Sequence, residues 1–157
     1  MNGLSLLSVL TIALIAATGT GCSQATRAKS LSAYGIVPEG IERVEILYLP
    51  ERILTRAALT PEMLERQYKY KVEIRDFAAS IQRQQLITTV RETSVSPSNR
   101  SFDLRTAVLL YDNNGKRLLS LYFAKSGRNG VVNRESVSTS DDVYRWAKSM
   151  MRGFADQ

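Results

Sequence analysis

Histidine is absent from the 157 residues, and cysteine occurs once, at Cys22. The first absence excludes Ser-His-Asp and Cys-His catalysis and imidazole-based zinc sites. The second excludes an intramolecular disulfide, so packing alone must stabilise the fold. No block of five like charges interrupts the chain, and no internal repeat or long low-complexity tract is present. A charged, disordered interaction tail is therefore not indicated.

The one long apolar stretch, Leu4 to Ala17, is 14 residues and is broken only by Ser5, Ser8 and Thr11. A membrane-crossing helix needs about 20 residues, whereas this length suits the apolar region of a signal peptide. Small residues follow in Thr18-Gly19-Thr20-Gly21-Cys22-Ser23. Thr20-Gly21-Cys22 resembles the end of a bacterial lipoprotein signal, with Gly19 where that motif usually has Leu. The resemblance implies cleavage before Cys22 and diacylglyceryl and acyl (palmitate-type) modification of its thiol. It also implies a lipid-anchored place in the cell envelope. Ser23 after the cysteine implies the periplasmic side of an outer membrane, where the organism has one. Two alternatives stay open. Ser23-Gln24-Ala25 also fits signal cleavage after Ala25, which would release a soluble secreted protein, and the apolar segment could be retained as an anchor.

This divides the chain into a signal at 1–21, a lipidated cysteine with a polar tether at 22–33, and one domain at 34–157. The 136 residues from Cys22 onward suffice for a single core. They carry the whole net charge of +6, and 15 of the 21 basic residues are Arg. A basic surface suits nucleic acid, but equally the anionic lipid head groups and wall polymers that an exported protein meets. The charges are scattered among acids, so the expected partners are an envelope protein, an anionic polymer or head groups, and no nucleic acid.

Local patterns predict an α+β fold, with an antiparallel sheet of about five strands and two or three helices packed on one face. Glu42 to Tyr48 alternates, with Val44, Ile46 and Tyr48 on one side. Tyr68 to Arg75 alternates more strictly, with Tyr68, Tyr70, Val72 and Ile74 against Lys69, Lys71, Glu73 and Arg75. Arg52 to Leu59 is a candidate short strand. Thr60-Pro61-Glu62 is a helix start running to about Gln67. Asp76 is placed to cap a second helix reaching about Leu86, and Glu92 to Asp103 reads as loop. Leu104–Tyr111 and Lys116–Lys125 flank an Asn114-Gly115 pair suited to a type I′ hairpin. Val131 to Ser138 follows a second Asn-Gly as the third strand of a meander. A last helix, capped by Thr139 or Ser140, places Val143, Trp146, Ala147, Met150 and Phe154 on one face.

No catalytic constellation emerges, and no metal or cofactor is called for. Glu62 with Glu65, and Asp141 with Asp142, are the carboxylate pairs that a hydrolase acting on envelope glycans would use. Surface and capping roles account for the same residues. Lys69-Tyr70-Lys71 interleaves aromatic and basic groups, but on opposite faces of a strand, unlike a base-stacking platform. Ser126 to Gly130 has no helix behind it to favour a phosphate and reads as a turn. The basic side of Tyr68–Arg75, with Lys69, Lys71 and Arg75, is the candidate binding surface. The reading is a tethered, non-enzymatic binding or accessory protein, against a carboxylate hydrolase or a secreted inhibitor.

Overall fold

The computed structural model describes residues 28–34 and 40–155; Cys22, where lipidation is expected, the expected signal and most of the expected tether lie outside them. In chain order the elements are β1 (Lys29–Ser30), β2 (Arg43–Tyr48), α1 (Pro61–Gln67), β3 (Tyr70–Ile74), α2 (Ile81–Glu92), β4 (Ser94–Pro97), β5 (Leu104–Tyr111), β6 (Arg117–Ala124), β7 (Asn129–Val132), β8 (Glu135–Thr139), α3 (Asp142–Met150) and a helical turn, α4 (Arg152–Ala155). The fold is α+β. Its sheet has eight antiparallel strands, not five, in the order β1-β4-β8-β7-β6-β5-β2-β3.

The extra strands have identifiable origins. The apparent run Val131 to Ser138 is two strands, split by a turn at Asn133 (φ 53°) and Arg134 (φ 141°). Ser94–Pro97, expected as loop, pairs β1 with β8 although only Val95 is buried. Such a strand is defined by its neighbours' backbones and leaves little side-chain pattern. Pairing also begins at Lys29, inside the expected tether. Arg52–Leu59 forms no strand.

Alternation sorts the sheet into two faces. Val44, Ile46, Tyr48, Val108, Leu110, Leu119, Leu121 and Phe123 meet Leu86 and Val90 of α2 and Val143, Trp146 and Ala147 of α3 in one core. Leu47, Leu49, Leu109 and Tyr122 meet Leu64 of α1 in a smaller core on the opposite face. The helices therefore do not share one face: α2 and α3 cover one, and α1 lies on the other. β5, buried throughout, is central between β2 and β6.

Caps explain the helix boundaries. Thr60 Oγ1 accepts from Met63 N at 3.3 Å, with Pro61 opening α1 as expected. Asp76 makes no side-chain cap. It stands at φ 50°, leads into a 3₁₀ turn that buries Phe77, and leaves Ser80 to cap α2 at Gln82 N, 3.1 Å. α2 then continues to Glu92 through β-branched residues, because Leu86, Ile87 and Val90 give it a buried face. Asp141, rather than Thr139 or Ser140, precedes α3, without a side-chain cap bond. The β5–β6 hairpin is not type I′. Only Gly115 has positive φ (76°), and the Asp112 carboxylate accepts from Asn114 N (2.9 Å) and Lys116 N (2.8 Å). The result is a type I turn closed by a left-handed glycine. Gly130 is needed for a different reason: a Cβ there would lie 1.8 Å from Tyr122 O on β6.

Candidate functional site

A cleft of about 670 Å³ opens between α1, β6 and the β7–β8 turn. α1 contributes Glu62, Glu65 and Arg66, β6 contributes Arg117, Ser120 and Tyr122, and the turn contributes Asn133 and Arg134. Asn133 fixes the turn to β6: its N donates to Ser120 O at 2.9 Å, and its Oδ1 accepts from Ser120 N at 3.0 Å. Arg134 N donates to Val132 O at 2.8 Å, holding Arg134 in a conformation that non-glycine residues seldom adopt.

Glu65 is the centre of the cleft's polar contacts. Arg117 meets it bidentately, Nη1 to Oε1 at 2.9 Å and Nη2 to Oε2 at 3.1 Å, and the Tyr122 hydroxyl donates to Oε1. Burial pushes the Glu65 carboxyl up, but the bonds from Arg117 and Tyr122 outweigh it and leave it below the ordinary range. Burial and the same carboxylate raise the Tyr122 hydroxyl, and the Arg117 guanidinium is raised chiefly by its bond to Glu65. Exposed Glu62 is also lowered, first by its own backbone N–H and then by the Thr60 hydroxyl, which donates to it at 2.9 Å. Neither carboxyl is held protonated near neutrality, as a general acid must be.

The polar contacts continue beyond the cleft along the same face. Arg117 Nη2 donates to the Tyr111 hydroxyl at 3.1 Å, which donates to Glu45 Oε2 at 3.2 Å. Glu45 is buried and also accepts from Arg43 Nη1 (3.0 Å) and Lys71 Nζ (2.9 Å). The Arg43 and Arg117 guanidinium groups lie 4.1 and 5.5 Å from the Tyr111 ring centroid. Lys71 is 3.5 Å from Glu73, which also accepts from Arg75 at 2.7 Å. No family model, curated protein or solved structure matches the chain.

The candidate surface is thereby resolved residue by residue. Lys71 and Arg75 are brought together by Glu73, and Lys71 is tied into the sheet through Glu45. Lys69 precedes β3 and stands apart, exposed, its N donating to Tyr48 O at 2.9 Å. Of the carboxylate pairs, Glu62 and Glu65 line the cleft, whereas Asp141 and Asp142 bind Arg145 at 3.3 and 2.6 Å. Trp146 belongs to the core. Sequence reading missed Arg117, Tyr122 and Arg134. The first two meet Glu65 across 52 and 57 residues of chain, and no local pattern signals such a meeting. Among the described residues no group of His, Cys, Asp and Glu is arranged to hold a metal, and no helix is long and apolar enough to cross a membrane.

Proposed function

We propose that this chain is a lipid-tethered, non-enzymatic binding protein of a bacterial cell envelope, and that the cleft beside α1 receives an anionic group of an envelope protein or polymer. The state of the cleft's carboxylates carries the binding half of this reading. Glu65 is committed to Arg117 and Tyr122, and both Glu65 and Glu62 are held ionised. A glycan hydrolase needs one raised carboxyl as proton donor, so this geometry favours binding over hydrolysis. Arg66 and Arg134, both exposed on the cleft wall, supply the charge for an anionic ligand. The tethering half rests on Thr20-Gly21-Cys22 behind an apolar signal-like segment. Sheet pairing from Lys29 leaves six residues after Cys22, about 20 Å when extended, so the ligand would be close to the membrane.

Each half has its own test. Metabolic labelling with a palmitate analogue should mark the wild type and leave Cys22→Ala unlabelled; equal labelling of both would remove the tether. Retention on anionic wall polymer should fall for the double variant Arg66→Ala/Arg134→Ala. Undiminished retention, or glycan cleavage that Glu62→Gln or Glu65→Gln abolishes, would overturn the binding reading.

A further inference from the structure

Leu54 is 93% exposed, more than any other large apolar residue described. Its exposure does not come from a loosely held loop. The guanidinium of Arg105, a buried residue on β5, donates to Ile53 O at 2.9 Å and to Thr55 Oγ1 at 3.4 Å, gripping the chain on both sides of Leu54. Arg105 is itself fixed by Asp103 Oδ2, at 2.8 Å from Nε and 2.6 Å from Nη2. Ile53 N closes the turn onto Pro50 O at 3.0 Å, and Leu59 N anchors the far end on Asp103 Oδ1 at 3.0 Å. A buried arginine is thus spent on holding a leucine out in solvent.

The surroundings of that leucine are basic. Arg52 and Arg56 flank it and are exposed. Glu51, the one acid between residues 49 and 59, is neutralised by Lys125 of the β6–β7 turn at 2.6 Å. Lys69 stands at the same end of the sheet, bonded to the last residue of β2. We infer that the loop 49–59 is a membrane-docking element that seats Leu54 among the head groups of an anionic bilayer. An apolar side chain that protrudes between cations matches the acyl–head-group boundary, where the leucine leaves water while the arginines stay at the anionic surface. The larger apolar neighbours of Leu54 in its groove are recessed, Leu49 buried and Ile53 and Met63 half-buried, so the protruding apolar contact is narrower than the core of a protein interface. The inference goes beyond the cleft and does not depend on lipidation, because the loop carries its own chemistry.

Ile81 offers an internal control. It is 83% exposed and opens α2, four residues after Phe77, whose N donates to the O of Glu42, the residue before β2, so it lies at the opposite end of the sheet. Two full-length chains in a Cys22→Ser background, one with Leu54→Cys and one with Ile81→Cys, would each carry a single environment-sensitive fluorophore. Vesicles of phosphatidylcholine containing phosphatidylglycerol should shift the position-54 probe to the blue and shield it from an aqueous quencher, with no change at position 81. Vesicles of phosphatidylcholine alone should do neither. Adding Arg52→Glu and Arg56→Glu should weaken the response at least tenfold, because each basic residue near an anionic surface is worth about fivefold in binding. A silent probe at 54, equal responses at 54 and 81, or an undiminished response on neutral vesicles would each overturn the inference.

Discussion

The two faces of the sheet are built on different principles. Under α2 and α3 the face is apolar from β2 across to β8, and no ionised side chain belongs to its core. Under α1 the apolar part is smaller, and the same strands then continue into Glu45, Tyr111 and Arg117, the last of which meets Glu65 of α1. Helix length accounts for the contrast. α2 and α3, of 12 and 9 residues, contribute six buried residues between them, whereas α1 has seven residues and buries Leu64 alone. A helix that short cannot cover an eight-stranded sheet. The uncovered part of the face must be satisfied by ion pairs and hydrogen bonds, and it is there that a cleft can form.

Truncation on each face breaks this comparison most sharply. Leu121→Ala, in the core under α2 and α3, should cost about 3–4 kcal/mol, combining lost transfer energy with a cavity that strands on both sides prevent from collapsing. Glu45→Ala, on the other face, removes the acceptor shared by Arg43, Lys71 and the Tyr111 hydroxyl, and leaves the two cations to Glu73, at 3.9 and 3.5 Å. Removing one member of a fully buried ion pair costs about 3–5 kcal/mol, but Arg43 and Lys71 are a third exposed, so about 2 kcal/mol is expected. Urea unfolding measures both. A larger loss for Glu45→Ala than for Leu121→Ala would mean that the polar face is the principal stabiliser.

The same contrast decides what the sequence disclosed. α1 was readable to the residue, because Thr60, Pro61 and Glu62 act on their own backbone. β5 was readable as a strand, since the apolar run 107–111 leads into a turn at Asn114-Gly115. β1 and β4 were not, since Lys29, Ser94 and Ser96 become strands only through partners distant in the chain. Val131–Ser138 misled because the two-residue turn at Asn133 lies between segments of equal β character. The candidate surface was half legible: alternation put Lys71 and Glu73 on one side of β3, but nothing local reveals that Glu45, 26 residues earlier, claims Lys71. The cleft was illegible for the same reason, as Glu65, Arg117, Tyr122 and Arg134 come from three separate segments.

Acid provides the finest test of the comparison, because no carboxylate belongs to the core under α2 and α3, whereas Glu45 and Glu65 stand on the α1 face. The Glu65 carboxyl is lower in the folded protein than in the unfolded chain. Its contribution is therefore complete above the unfolded value of about 4.3 and is lost as pH falls through the folded value. Tyr122 acts at the other limit. Its hydroxyl is raised, so its contribution is complete below about 10 and is lost as pH rises through the folded value. Between those limits Glu65→Gln should cost about 1 kcal/mol, since Arg117 and Glu65 are roughly a third exposed and solvent screens the pair. Glu73 and Asp142 are lowered as well, so the wild type loses stability in acid for several reasons at once. The informative quantity is the difference between the two proteins. Wild type and Glu65→Gln should differ in urea midpoint at pH 7, and the difference should shrink as the pH falls below about 4.3. Parallel curves across that range would show that the Glu65–Arg117 pair contributes nothing through its charge, and that the polar face is held by hydrogen bonding alone.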